Sequence, residues 1–197
     1  LFNSLIMFLI MFLSLIVSCS RDTNITFDTR PGDIHVSGEG CIYITDGKTI
    51  QRVKSGTPET YYTPPEGHYI DAIYIEGETT AYLERGSGKL CVRTRSEGSW
   101  MQYTLKLDNV GSFCDLLLDP EGVALLYREP HGLYKHIALF KKDGEEYRLT
   151  AMAHNFLSMR LAKEGGVWAL TTDEDLFYCT FDGDKEERRL NNFQMRA

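Results

Sequence analysis

The sequence predicts an all-β fold, and three observations carry that expectation. From Asp33 onward no segment shows an apolar period of 3.6 residues, and short runs rich in Tyr, Ile, Val, Leu, Phe and Thr take its place. Gly, Asp-Gly and Pro-Glu-Gly turns separate these runs and supply the reversals of antiparallel hairpins. The runs also recur. Gly40, Gly77, Gly122 and Gly166 each precede a strand of similar type, at intervals of roughly 40 residues.

Taken in order, Gly40 leads into Cys-Ile-Tyr-Ile-Thr and a second strand over residues 49–53. Gly77 leads into Glu-Thr-Thr-Ala-Tyr-Leu, a second strand over 89–94, and a more polar third strand over 100–107 after Glu97-Gly98-Ser99. Gly122 leads into Val-Ala-Leu-Leu-Tyr, a second strand over 133–140 and a third over 146–150 after Asp143-Gly144. Gly166 leads into Val-Trp-Ala-Leu-Thr, a second strand over 176–181 and a third over 185–190 after Asp182-Gly183. A further apolar strand precedes each of the last three glycines, over 69–75, 112–118 and 156–161. Four strands per unit at this period is the pattern of a β-propeller blade, whose exposed faces are buried by stacking neighbours about an axis. The expected class is therefore β-propeller-like repeats of four-stranded antiparallel units, about four in number, in a closed or an incomplete array. A β-sandwich or barrel is the alternative, because regular hairpin signals are shared with those folds.

Two segments carry a resemblance. Asp119-Pro-Glu-Gly-Val-Ala-Leu-Leu-Tyr and Lys163-Glu-Gly-Gly-Val-Trp-Ala-Leu-Thr-Thr-Asp-Glu-Asp-Leu-Phe-Tyr resemble repeats of the broad propeller superfamily, over residues 33–197. The WD dipeptide of WD40 repeats is absent, as is the Ala-x-Asp-x-x-Thr-Gly pattern of quinoprotein-type repeats. Asn192-Phe-Gln-Met-Arg echoes Asn155-Phe-Leu-Ser-Met-Arg, as if the chain began another unit. That strand would close a small ring onto residues 34–37, or belong to a longer array.

Residues 15–20 read Leu-Ile-Val-Ser-Cys-Ser after an apolar run that carries no charge up to Ser18. This resembles the lipobox of bacterial lipoprotein precursors. The resemblance implies a signal peptide over residues 1–18, lipidation of Cys19, a flexible tether over 19–32 and a domain over 33–197. It also implies a membrane-anchored, extracytoplasmic protein of the bacterial cell envelope. No Lys or Arg precedes Arg21, and the first residue is Leu, so an upstream segment or an alternative start codon is expected. An uncleaved membrane anchor is the alternative reading of the run.

The chain carries 28 acidic against 21 basic residues, a formal charge of −7. That balance disfavours nucleic acid as a partner, since phosphate binding needs Lys/Arg clusters. Beyond Cys19, Cys41, Cys91, Cys114 and Cys179 all lie in β-patterned runs. Extracytoplasmic disulfides are open to them, but buried free thiols are favoured. His131 and His136, five residues apart, fall on opposite faces of a strand, and no ligand spacing points to a metal. Asp173-Glu174-Asp175 form a turn without the Asp-x-Asp-x-Asp-Gly order of a calcium loop. No Gly-x-Ser-x-Gly elbow is present. Trp100, Trp168 and the tyrosines are read as packing between sheets. No catalytic residue, cofactor or metal is assigned.

The function expected is non-enzymatic: a lipid-anchored module binding a protein or glycan partner. The alternative is an envelope enzyme acting on carbohydrate or peptide. Gathered Asp, Glu, Arg and Tyr with a perturbed acid would favour the enzyme, and a flat loop face without one would favour the binder.

Overall fold

The computed structural model describes residues 32–96, 98–173 and 175–188. They form fifteen antiparallel strands in three sheets, every sheet a simple meander. The first sheet runs β1 (Asp33–Val36), β2 (Ile42–Thr45), β3 (Ile50–Lys54), β4 (Thr57–Tyr62). The second runs β5 (Ile70–Glu76), β6 (Thr79–Glu84), β7 (Lys89–Thr94), β8 (Met101–Thr104). The third holds seven strands: β9 (Ser112–Asp119), β10 (Gly122–Arg128), β11 (Lys135–Asp143), β12 (Glu146–Leu161), β13 (Val167–Thr171), β14 (Leu176–Cys179) and β15 (Lys185–Arg188).

The all-β class is observed, but the propeller expectation is corrected. The sheets are open, and among the described residues no ladder joins the last sheet to the first. The arrangement is an open, sandwich-like stack of sheets. Nor are there four separate units, because β12 is a single strand of 16 residues. Its first part pairs with β11 and its second with β13, through a register shift near Phe156. Two strands were expected here, over 146–150 and 156–161. The residues between them, Ala-Met-Ala-His-Asn, hold no Gly or Pro to reverse the chain. Asn155 instead takes a positive φ of 67° and makes a bulge within a continuous strand.

The middle sheet is buried on both faces, which explains its near-continuous apolar runs. Ala72, Tyr74, Ala81, Leu83, Leu90 and Val92 face the third sheet, where they join Phe113, Leu116, Leu125, Phe140, Phe156 and others in the main core. The alternate residues Ile73, Ile75, Tyr82 and Cys91 face the first sheet and meet Tyr43 and Ile50 in a smaller core. A bulge between Ile70 and Ala72 turns Ile70 into that smaller core as well.

The four marker glycines do unlike work. Gly40, Gly77 and Gly166 hold positive φ, which side-chained residues resist. Gly122 is required for space instead. A Cβ there would lie 2.2 Å from the Phe140 carbonyl oxygen and 2.6 Å from the Phe181 ring.

The lipobox, Cys19 and all of the tether but Gly32 lie outside the described residues, as does the 192–196 segment expected to close a ring. Among the described residues no helix is long and apolar enough to cross a membrane. The pairing of a lipoprotein signal with a propeller is thus corrected to an open all-β protein, with neither signal nor anchor shown in the described part.

Candidate functional site

The sheets approach one another at their first strands: β1 lies against β5, and β5 against β9. As edges of their sheets, these strands carry backbone groups without ladder partners. Polar side chains answer them. Asp33 on β1 accepts the Ile73 N–H of β5 on Oδ2 at 2.9 Å and its own neighbour's, Ile34, on Oδ1 at 2.8 Å. Two residues on, His35 Nε2 meets the Ile75 carbonyl at 2.9 Å, which places the ring proton on Nε2. The loop beyond β1 adds Gly38 N–H donating to Glu76 Oε2 at 2.7 Å. The spacing of two on β1 matches the spacing of two on β5, so side chains extend the strand pairing across the gap.

Asp115 on β9 occupies a similar setting. Its Oδ1 accepts the Leu116 N–H at 2.9 Å, and its Oδ2 lies 3.7 Å from Arg160 Nη1 on the second part of β12. Arg160 also donates to the Met159 carbonyl at 2.7 Å, which fixes its reach. Burial first, then the negative charge of Asp33, pushes the Asp115 carboxyl up to about 6. Arg160 and Lys135 pull in the opposite sense without cancelling it. Asp33 is raised too, by burial, but its two backbone donors oppose the shift. Burial also lowers His35, so its ring stays neutral.

The two carboxyls are unequal. Asp33 is committed to two backbone donors, whereas Asp115 keeps one oxygen toward the exposed Arg160 guanidinium. A carboxyl that can hold a proton near neutrality can donate it, and a cation facing it, as Arg160 does, stabilises the carboxylate left behind. Asp33 has a structural task as well, since it joins two sheets. Asp115 bonds only its own strand's backbone and faces Arg160, so the pair it forms is the better candidate for chemistry.

The residues weighed from sequence fall elsewhere. His131 sits exposed in a turn at φ 62°. His136 is buried on β11, and its Nδ1 lies 2.6 Å from His154 Nδ1 on β12, directly across the ladder. His154 could not be found from sequence spacing, because the pair is made by register. Asp173 is an exposed turn acid, and the Asp175 backbone closes that turn on Thr171. Among the described residues no group of three His, Cys, Asp or Glu could hold a metal ion. Trp100 packs on Tyr62 and Tyr82 at ring-centroid distances of 4.6 and 5.1 Å, and Trp168 on Tyr178 at 5.1 Å. Cys41, Cys91, Cys114 and Cys179 are free thiols, with Cys91 and Cys179 buried and the other two half-buried.

Asp33, Asp115 and Arg160 were missed at the sequence level. Asp115 and Arg160 each lie in a strand as a charged residue with apolar neighbours, whereas Asp33 opens β1 after a Pro-Gly pair and carries no such mark.

No family model matches the chain, and no curated protein does. Among solved structures, a protein from Bacteroides uniformis ATCC 8492, provisionally described as a 6-phosphogluconolactonase, aligns at a TM-score of 0.54 and 14% identity. The alignment covers 80% of this chain and 53% of that one. A protein of the same provisional description from Bacteroides fragilis NCTC 9343 aligns at 0.53 and 9% identity, over 80% and 53%. Hsv2 from Kluyveromyces marxianus aligns at 0.47 and 14% identity, over 83% and 51%. This chain spans about half the length of these structures. The first two alignments show a broad fold relationship and no specific role.

Proposed function

We propose that the Asp115–Arg160 pair, with Asp33 beside it, is a general acid–base site of an enzyme acting on carbohydrate or peptide. Asp115 would be the proton donor, Arg160 the electrostatic stabiliser and Asp33 the acid that adds to burial in keeping Asp115 protonated. The observation that carries this reading is the largely buried Asp115 carboxyl facing Arg160 Nη1 at 3.7 Å near the meeting of the first strands, where burial and then Asp33 raise its proton affinity. A scaffold needs no such acid, so the non-enzymatic reading gives way to the enzymatic one. Carbohydrate is favoured over peptide because the two Bacteroides structures, aligned at TM-scores of 0.54 and 0.53, carry a provisional description as acting on a sugar derivative.

The test is turnover of a panel of aryl glycosides, sugar lactones and peptide amides by the full chain. One class should be hydrolysed with a rate that falls as pH rises through about 6, where Asp115 loses its proton. Asp115→Asn should lower kcat by about a hundredfold or more, the usual worth of a positioned acid. No turnover of any class, or equal rates in wild type and Asp115→Asn, overturns the proposal. A cell-envelope location is part of the same reading and rests on residues 1–19 alone. Fractionation of wild type against Cys19→Ala tests it, and equal distribution of the two refutes it.

A further inference from the structure

A second site opens on the seam between the first two sheets, and it shares no residue with the acid pair. A groove of about 590 Å³ is lined by Arg52, Arg93 and Arg95 together with Tyr43, Tyr61 and Thr80. Three arginines on one groove is an unexpected concentration in a chain of net charge −7. Among the described residues none of the three lies within ion-pair distance of a carboxylate, although Glu39 and Glu78 also line the groove.

Two of the arginine side chains are held by something other than an acid, and the third is anchored through its backbone. Arg52 Nη2 donates to Cys41 Sγ at 3.1 Å. The Arg93 guanidinium sits over the Trp100 ring at 5.0 Å and the Tyr62 ring at 5.8 Å. The Arg95 backbone N–H donates to the Glu78 carbonyl at 3.0 Å. The Arg52 and Arg93 guanidiniums are thus positioned with charge left to offer, and the exposed Arg95 side chain springs from a backbone anchored beside them. Planar forks of this kind bind carboxylate and sulfate oxygens in pairs.

The aromatic lining adds a second kind of contact. Tyr61 is 38% exposed, and its ring meets Tyr43 edge-on at 5.2 Å. Its hydroxyl is within 3.0 Å of Thr80 Oγ1, which orients the ring. An open, oriented tyrosine face beside hydroxyls suits the apolar face and hydroxyl rim of a sugar ring.

We infer that this groove binds an acidic carbohydrate, with its carboxylates or sulfates on Arg52, Arg93 and Arg95 and a sugar ring against Tyr61. The inference stands whether or not Asp115 is catalytic, because it concerns binding alone.

The experiment is calorimetric titration of the full chain with four probes: an oligogalacturonate, a heparin-derived oligosaccharide, a neutral dextran oligosaccharide and poly-glutamate. At least one acidic sugar should bind, and the tighter of the two identifies carboxylate or sulfate as the recognised group. Dextran and poly-glutamate should bind at least about tenfold more weakly. R52Q combined with R95Q should weaken the sugar at least about tenfold, as expected when charged hydrogen bonds are lost. Both side chains are exposed, so folding is not at stake. K106Q combined with K163Q, an equal loss of charge outside the groove, should leave affinity unchanged. The inference is overturned if neither acidic sugar binds, or if poly-glutamate binds as well as the sugar. It is also overturned if the arginine variant binds like wild type, or if the lysine control loses as much as the arginine variant.

Discussion

The two faces of the middle sheet make a comparison within one element. Toward the third sheet it presents Ala72, Tyr74, Ala81, Leu83, Leu90 and Val92, which enter a large apolar core with Leu116, Leu125 and Phe140. Toward the first sheet it presents Ile73, Ile75, Tyr82 and Cys91, which enter a small core with Tyr62 and Trp100 at its margin. The small core is supplemented by polar clasps from Asp33, His35 and Glu76. A strand gives one face to each neighbour by simple alternation. The same three strands therefore build a dry seam and a wet one. The dry seam supplies stability. The wet seam holds the arginine groove, and Asp33 on it reaches the charge of Asp115.

The comparison would break first at the dry seam. Phe140→Ala should cost about 3–5 kcal/mol, because it empties a fully buried site. Chemical denaturation measures this. Ile73→Ala at the wet seam should fall at the lower end of the range for such a change, about 2 kcal/mol, because the smaller core gives this buried side chain fewer apolar neighbours to lose. Equal costs would mean the two seams are alike.

Asp115→Asn sharpens the comparison through pH. An unfolded aspartate titrates near the ordinary 3.8, and the folded one near 6, so the native state holds the proton more tightly. Wild-type stability is then greatest below the unfolded value and declines as pH rises through 6. The full difference is about 3 kcal/mol at one unit per 1.36 kcal/mol. Asparagine does not titrate, so the variant should gain on wild type between pH 4 and 7. His35 acts in the opposite sense. Its lowered value makes the fold lose stability as pH falls below the ordinary 6.5. Melting curves across this range should separate the two effects, and a pH-independent difference between Asp115→Asn and wild type would refute the assignment.

Asp33→Ala should cost about 1–3 kcal/mol, since the Ile73 N–H at the seam would lose its acceptor. Asp33→Asn keeps an acceptor and should cost less. The exposed Arg148–Asp143 pair, at 2.9 Å, should contribute about 0–1 kcal/mol to stability and less in high salt, and Arg148→Gln checks it.

Much of the strand pattern could be read from the chain. The run Val-Trp-Ala-Leu-Thr is β13, and the strand expected over 112–118 is β9 within one residue. Alternation and Gly or Asp-Gly turns are local signals, so local reading finds them. How the sheets associate is not local. Whether repeated hairpins close into a ring or stack openly depends on contacts between strands far apart in sequence. The continuous β12 turned on one residue, Asn155, whose bulge has no Gly to announce it. The acid pair was hidden for the same reason: Asp33 and Asp115 are distant in the chain and share a field only after β1, β5 and β9 come together.

The account rests most directly on the proton held by Asp115. A carboxyl carbon NMR titration of the full chain, with the resonance assigned by its loss in Asp115→Asn, measures it. The expected midpoint is about 6, moving down toward the ordinary range when Asp33→Asn removes the neighbouring charge. A midpoint near 3.8, unmoved by Asp33→Asn, would contradict both the coupling of the two acids and the role assigned to Asp115.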